Sequence, residues 1–108
     1  MCKVWLDDLR PMPDGYDFHA KTAWEAIDML DTDKVTDISL DHDLGRLKKC
    51  GTGYDVACHI ENRAYYGKPL PNWKLHTANP VGEENMRRCL ESAERIYNET
   101  LEHENSIE

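Results

Sequence analysis

Residues 35–45 read VTDISLDHDLG. The first six pack Val, Ile and Leu at the density of a short buried strand, and the run then stops at Asp41, His42 and Asp43 before a glycine. Three consecutive polar residues make a poor strand interior, because neighbours project to opposite faces. The stretch is therefore either an acidic turn, with Asp side chains capping backbone amides, or the tip of a strand that opens on a site. What the other strands end in decides between the two.

Towards the N-terminus, CKVWL (2–6) is a second apolar run, stopped by DDLRP, and reads as a buried strand ending in an acidic loop. PMPDGYD is turn chemistry, with two prolines and an Asp-Gly pair. A short strand is expected within YDFHAKT. Thr22 then fits an N-cap, and Glu25, three residues on, completes a capping box for a helix with Ala23, Ala26, Ile27 and Leu30 on one stripe. Towards the C-terminus, Val56, Ala57, Ile60 and Ala64 predict a helix from about Gly53 to Tyr66, which GKPLPN ends. WKLHTA (73–78) reads as a fourth strand. Met86, Cys89, Leu90, Ala93, Ile96, Tyr97 and Leu101 hold one face of a last helix.

Strands alternating with helices predict an α/β fold, an open, mainly parallel four-stranded sheet flanked by helices. At 108 residues the chain is expected to form a single domain over 1–102 with an acidic tail over 103–108. Its net charge of −8 argues against broad binding to a nucleic-acid backbone, which requires a basic face. It leaves room for a small phosphorylated ligand held by local cations. No apolar run reaches membrane-spanning length. The four cysteines, Cys2, Cys50, Cys58 and Cys89, form no CxxC pair, and with no secretion signal they read as reduced thiols of a cytoplasmic protein. A sheet of four strands also leaves an edge that could pair with a second copy in a homodimer.

In open α/β sheets the functional crevice lies beyond the carboxyl ends of the strands. Three inferred strands end in unusually polar residues: Asp7 and Asp8, then Asp41, His42 and Asp43, then His76, Thr77 and Asn79. The fold class thus gathers four carboxylates and two histidines along one edge. Carboxylates brought together repel unless protonated or bridged by a cation. An oxygen-rich set suits Mg²⁺ or Mn²⁺. A histidine beside a phosphate titrates near neutrality and serves as general acid or base. Thr77 and Asn79 offer donors to a phosphate oxygen, and Arg10, Arg46, Lys48 and Lys49 are nearby cations. Taken singly, each group has a plainer reading: a solvated strand end, an Asx turn, a buried histidine, or a helix cap in Asn79-Pro80. The same bias at three separate strand ends is what favours a site.

VWLDD, DISLDHDLG with TGYDVA after it, and LHTANP together resemble the response-regulator receiver domain, from Lys3 to about Leu101. The resemblance implies that Asp7 and Asp8 match the metal-binding pair, Asp41 the phospho-acceptor and Thr77 the hydroxyl residue. Receivers continue into a fifth strand bearing a lysine, which has no counterpart here, and LRPMPDGY is too short for their first helix. Asp7-Asp8, Asp41-His42-Asp43-Leu44-Gly45 and His76-Thr77-Ala78-Asn79 are more similar to the DD, DxDLG and HxxN pattern of a divergent branch, the cyclic-phosphate-processing receiver-like family of bacteria and phages. That resemblance implies a metal-dependent phosphoesterase acting on a cyclic phosphate, either an RNA end or a signal nucleotide. Asp7, Asp8 and Asp41 would hold Mg²⁺ or Mn²⁺. His42, His76 and Asp43 would be catalytic, and Arg10, Thr77, Asn79 and Arg46 would bind substrate. The alternative is a non-catalytic module that sequesters a nucleotide or docks on a protein.

Overall fold

A computed structural model of the chain describes residues 2–45 and 48–107. The strands are β1 (Cys2–Leu6), β2 (Phe18–Ala20), β3 (Val35–Leu40) and β4 (Asn72–Leu75). The helices are α1 (Ala23–Leu30), α2 (Gly53–Tyr65) and α3 (Pro80–Ile107), with a single 3-10 turn at Lys48–Cys50. All strand pairs are parallel, in the order β2-β1-β3-β4, which makes this a shortened receiver-like α/β sheet. The fourth strand is shorter than the sequence pattern predicts. It ends at Leu75, because His76, Thr77 and Ala78 turn away to lead into α3.

Local signals set the boundaries. The Thr22 hydroxyl accepts the Glu25 N–H and starts α1. At α2 the Asp55 carboxylate accepts the Thr52 N–H at 2.8 Å, the reciprocal half of a capping box. Asn79 opens α3, its side-chain oxygen accepting the Gly82 N–H at 3.0 Å, and Pro80 occupies the first helical position, where its missing N–H costs nothing.

Register decides which side chains share a face. Val4, Ile38 and Trp73 lie side by side, as do Leu6, Leu40 and Leu75. This row meets Ala23, Ala26, Leu30, Val56, Ala57, Ile60, Ala64, Met86, Leu90 and Ala93 from the helices in one core. Each large aliphatic side chain buried there contributes about 1.5–3 kcal/mol. α1 packs on α2 and α2 on α3, so all three helices cover the same side of the sheet. The alternate row, Trp5, Ser39 and Lys74, points to the helix-free side. Purely parallel sheets are usually buried on both faces and apolar on both. Here the helix-free face is mixed: Lys3, Asn72 and Lys74 are exposed, while Trp5 and Ser39 are buried under Tyr16 and His76.

Candidate metal and phosphate site

The ladder carries the three strand ends into one row. Asp7 N–H donates to the Ala20 carbonyl at 3.1 Å, Asp41 N–H to Leu6 at 3.0 Å, and His76 N–H to Leu40 at 3.0 Å. Two residues beyond Trp5, Ser39 and Lys74, the side chains of Asp7, Asp41 and His76 therefore fall in adjacent positions at the carboxyl edge. One ligand atom each from Asp7, Asp8 and Asp41 lies within 4.8 Å of the others. Together with Leu9, Arg10, Asp43, Gly45 and Ala78 these carboxylates line an open cavity of about 360 Å³. Gly45 turns the chain away from it at φ +92°, a left-handed conformation that glycine adopts without strain. A larger hollow of about 490 Å³ between β4 and α3, lined by Leu70, Trp73, Glu94 and Tyr97 among others, gathers no comparable set of ionisable groups.

Two of these carboxylates, Asp7 and Asp41, are shifted in opposite directions. Asp7 is only 1 % exposed. Burial pushes its carboxyl up, but the backbone N–H groups of Arg10 and Leu9, with His76, outweigh that and hold it below the usual range. Asp41 goes the other way. Burial raises it, the Asp7 charge adds to the rise, and a hydrogen bond with the Thr77 hydroxyl only partly offsets them. A buried carboxylate whose ionised form is penalised by its neighbours is what an oxygen-ligated cation relieves. The donor set is all carboxylate and fits a hard divalent ion.

His76 sits behind this cluster. Its Nε2 is 3.1 Å from Asp7 Oδ2 and its Nδ1 is 2.7 Å from the hydroxyl of Ser39, which is buried. The Trp5 indole stacks on the ring. Both ring nitrogens are thus engaged, and burial lowers the imidazole's pKa despite the Asp7 charge. The His76 carbonyl accepts a hydrogen bond from the Arg10 guanidinium, whose Nη1 also lies 3.7 Å from Asp7 Oδ2. Arg10 is thereby fixed at the cavity wall with its side chain half exposed.

His42 stands at the tip of β3 and packs its ring against Gly82 in the first turn of α3, where any Cβ would collide with the imidazole. Its Nδ1 is 2.9 Å from Asp43 Oδ1, and this bond holds the Asp43 carboxyl below its usual range. Among the described residues, the Nε2 of His42 has no hydrogen-bond partner. Asn79 caps α3 and turns its amide nitrogen towards Asp43 at 3.4 Å. The Thr77 hydroxyl accepts the Asn79 N–H at 3.2 Å.

Of the residues expected at the site, Asp7, Asp8, Asp41, Asp43 and Arg10 meet at the cavity, while His42, His76, Thr77 and Asn79 form the layer around it. Arg46 lies outside the described residues. Three participants were not singled out from sequence. Ser39 and Trp5 grip His76, and His19 Nε2 lies 2.7 Å from the Asp7 carbonyl. A signal for Ser39 existed: it is a hydroxyl in the buried half of an apolar strand, two positions before Asp41.

Comparison with protein families matches residues 2–92 to the cyclic-phosphate processing receiver domain. Neither the curated proteins nor the solved structures compared give a match.

Proposed function

The chain belongs to the cyclic-phosphate processing receiver family, and from that premise we propose that it is a metal-dependent phosphoesterase that opens a cyclic phosphate, at an RNA end or in a signal nucleotide. The observation that carries the reading is the meeting of Asp7, Asp8 and Asp41 at one cavity whose wall also bears an arginine. When bound by these three carboxylates, Mg²⁺ or Mn²⁺ would offset most of their charge and polarise a phosphate oxygen. Arg10, anchored by the His76 carbonyl, would hold a non-bridging oxygen with its free N–H groups.

Proton transfer falls to His42. With Nδ1–H held by Asp43, the Nε2 lone pair is left to take a proton from the attacking water, the division of labour between ring nitrogens that an adjacent carboxylate imposes. Water adds to phosphorus, one ester P–O bond breaks, and the proton passes to the departing ribose oxygen, giving a phosphomonoester. His76 keeps Asp7 in place, since neither of its nitrogens is free. The test is turnover of a 2′,3′-cyclic nucleotide with Mg²⁺ or Mn²⁺ and with excess chelator. Metal-dependent product that Asp41→Ala abolishes while the fold persists supports the enzyme. Tight binding without product supports a sequestering module instead.

A further inference from the structure

We propose that Cys58 and Cys89 form a redox-modifiable dithiol that a two-electron oxidant closes into an α2–α3 disulfide. Their sulfurs lie 3.7 Å apart across the helix pair, on opposite partners of the most extensive packing in the fold. Tyr54 lies one turn before Cys58 on α2, and the two sulfurs push its hydroxyl pKa up, so the phenol stands beside a thiol pair that the phosphoesterase chemistry does not use. Both thiols are free and partly accessible, and a recess of about 390 Å³ opens on Cys58 beside Glu61, Asn62 and Tyr65. A small oxidant therefore reaches the pair without unfolding. The sulfurs must approach by about 1.7 Å more to reach bonding distance. Rotation about the Cα–Cβ bonds would have to supply that between two helices that pack closely on each other.

With hydrogen peroxide as oxidant the step balances. One thiolate attacks peroxide, giving a sulfenic acid and water. The other sulfur displaces the second oxygen as water, so two thiols lose two protons and two electrons to one peroxide. Burial and the neighbouring sulfur push the Cys89 thiol up to about 11, so the reaction is unhurried at neutral pH. The bond would tie two helices that both begin at the candidate site. Gly53 of α2 packs on the Asp41 carbonyl, and Gly82 of α3 packs on the His42 ring.

The experiment treats the purified full chain with hydrogen peroxide at pH 8, then alkylates and maps peptides. The expected result is a monomer two mass units lighter, with Cys58 and Cys89 joined, Cys2 and Cys50 still alkylated, and reversal by dithiothreitol. The thermal midpoint of the oxidised form should rise by roughly 5–10 °C. Cys58→Ser and Cys89→Ser each remove both the mass change and the shift. Continued alkylation of both cysteines, separate sulfinic acids on each, or only inter-chain dimers would overturn the proposal.

Discussion

The His76 imidazole stacks on the Trp5 indole with ring centroids 3.8 Å apart and planes 7° apart. Trp5 precedes Asp7 by two residues on β1, and His76 reaches that same Asp7 from beyond β4. The aromatic contact thus closes a chain from Ser39 through His76 to Asp7 that spans three strands. It fixes the orientation of one carboxylate at the strand edge.

Replacing His76 by Ala leaves Asp7 Oδ2 without its imidazole donor and the buried Ser39 hydroxyl without a partner. The expected loss is about 1–3 kcal/mol in urea unfolding. Affinity for Mn²⁺ by calorimetry should weaken about 10–100-fold, as when a residue that orients a metal ligand is removed. His76→Gln, which can still donate to Asp7, should recover part of the affinity.

Asp41 should be a liability to the metal-free fold. A carboxyl raised in the folded state binds its proton more tightly there than when unfolded, so above that raised pKa its ionisation costs stability. Asp41→Asn should therefore stabilise the metal-free protein by about 0.5–2 kcal/mol at pH 7. It should also erase the gain in thermal midpoint expected of the wild type with Mn²⁺. A thermal melt of both proteins with and without the ion checks the two effects together.

Gly53 and Gly82 separate packing from chemistry. A methyl at Gly53 meets the Asp41 carbonyl and the Met86 sulfur, so Gly53→Ala should cost about 1–3 kcal/mol of stability. At Gly82 the methyl meets the His42 ring instead. Gly82→Ala should displace that imidazole and lower turnover about 100-fold, the scale of lost general-base catalysis, with Mn²⁺ affinity nearly unchanged.

Far from the site, Arg63 of α2 reaches back to Asp31 Oδ1 at 3.1 Å and also pairs with Asp33, while His59 lies 2.8 Å from Asp31. His59 and then Arg63 hold the Asp31 carboxyl below its usual range. The carboxyl is depressed in the folded state, so its stabilisation is complete above the unfolded pKa of about 3.9 and fades as pH falls through the lower folded value. Asp31→Asn should lower the urea midpoint at pH 7 and differ little from wild type near pH 2. Asp31 is half exposed, so the effect should be modest and should shrink in high salt.

Much of this was legible in the sequence because two periodicities are strong. The apolar run of residues 35–40 matches β3 residue for residue, and Thr22 with Glu25 marks the start of α1 as observed. The strand-end rule then brought Asp7, Asp41 and His76 to one edge without any contact being known. The rest depended on side-chain geometry that spacing does not encode. Whether His76 has a free nitrogen is set by Ser39 and Asp7, residues 37 and 69 positions away. Whether His42 faces the cavity or α3 is set by the missing side chain of Gly82. Trp24 lies half exposed on α1, its indole N–H donating to the Lys49 carbonyl, because the buried stripe of that helix is Ala23, Ala26 and Leu30.

Phosphorus NMR of a 2′,3′-cyclic nucleotide incubated with the purified chain decides whether the protein is a metal-dependent phosphoesterase. With Mg²⁺ or Mn²⁺ present the cyclic diester resonance should give way to that of a phosphomonoester, and excess chelator or Asp41→Asn should stop the conversion. Conversion that continues undiminished in chelator, or a diester resonance that persists with metal present and Asp7, Asp8 and Asp41 intact, would overturn the proposed activity.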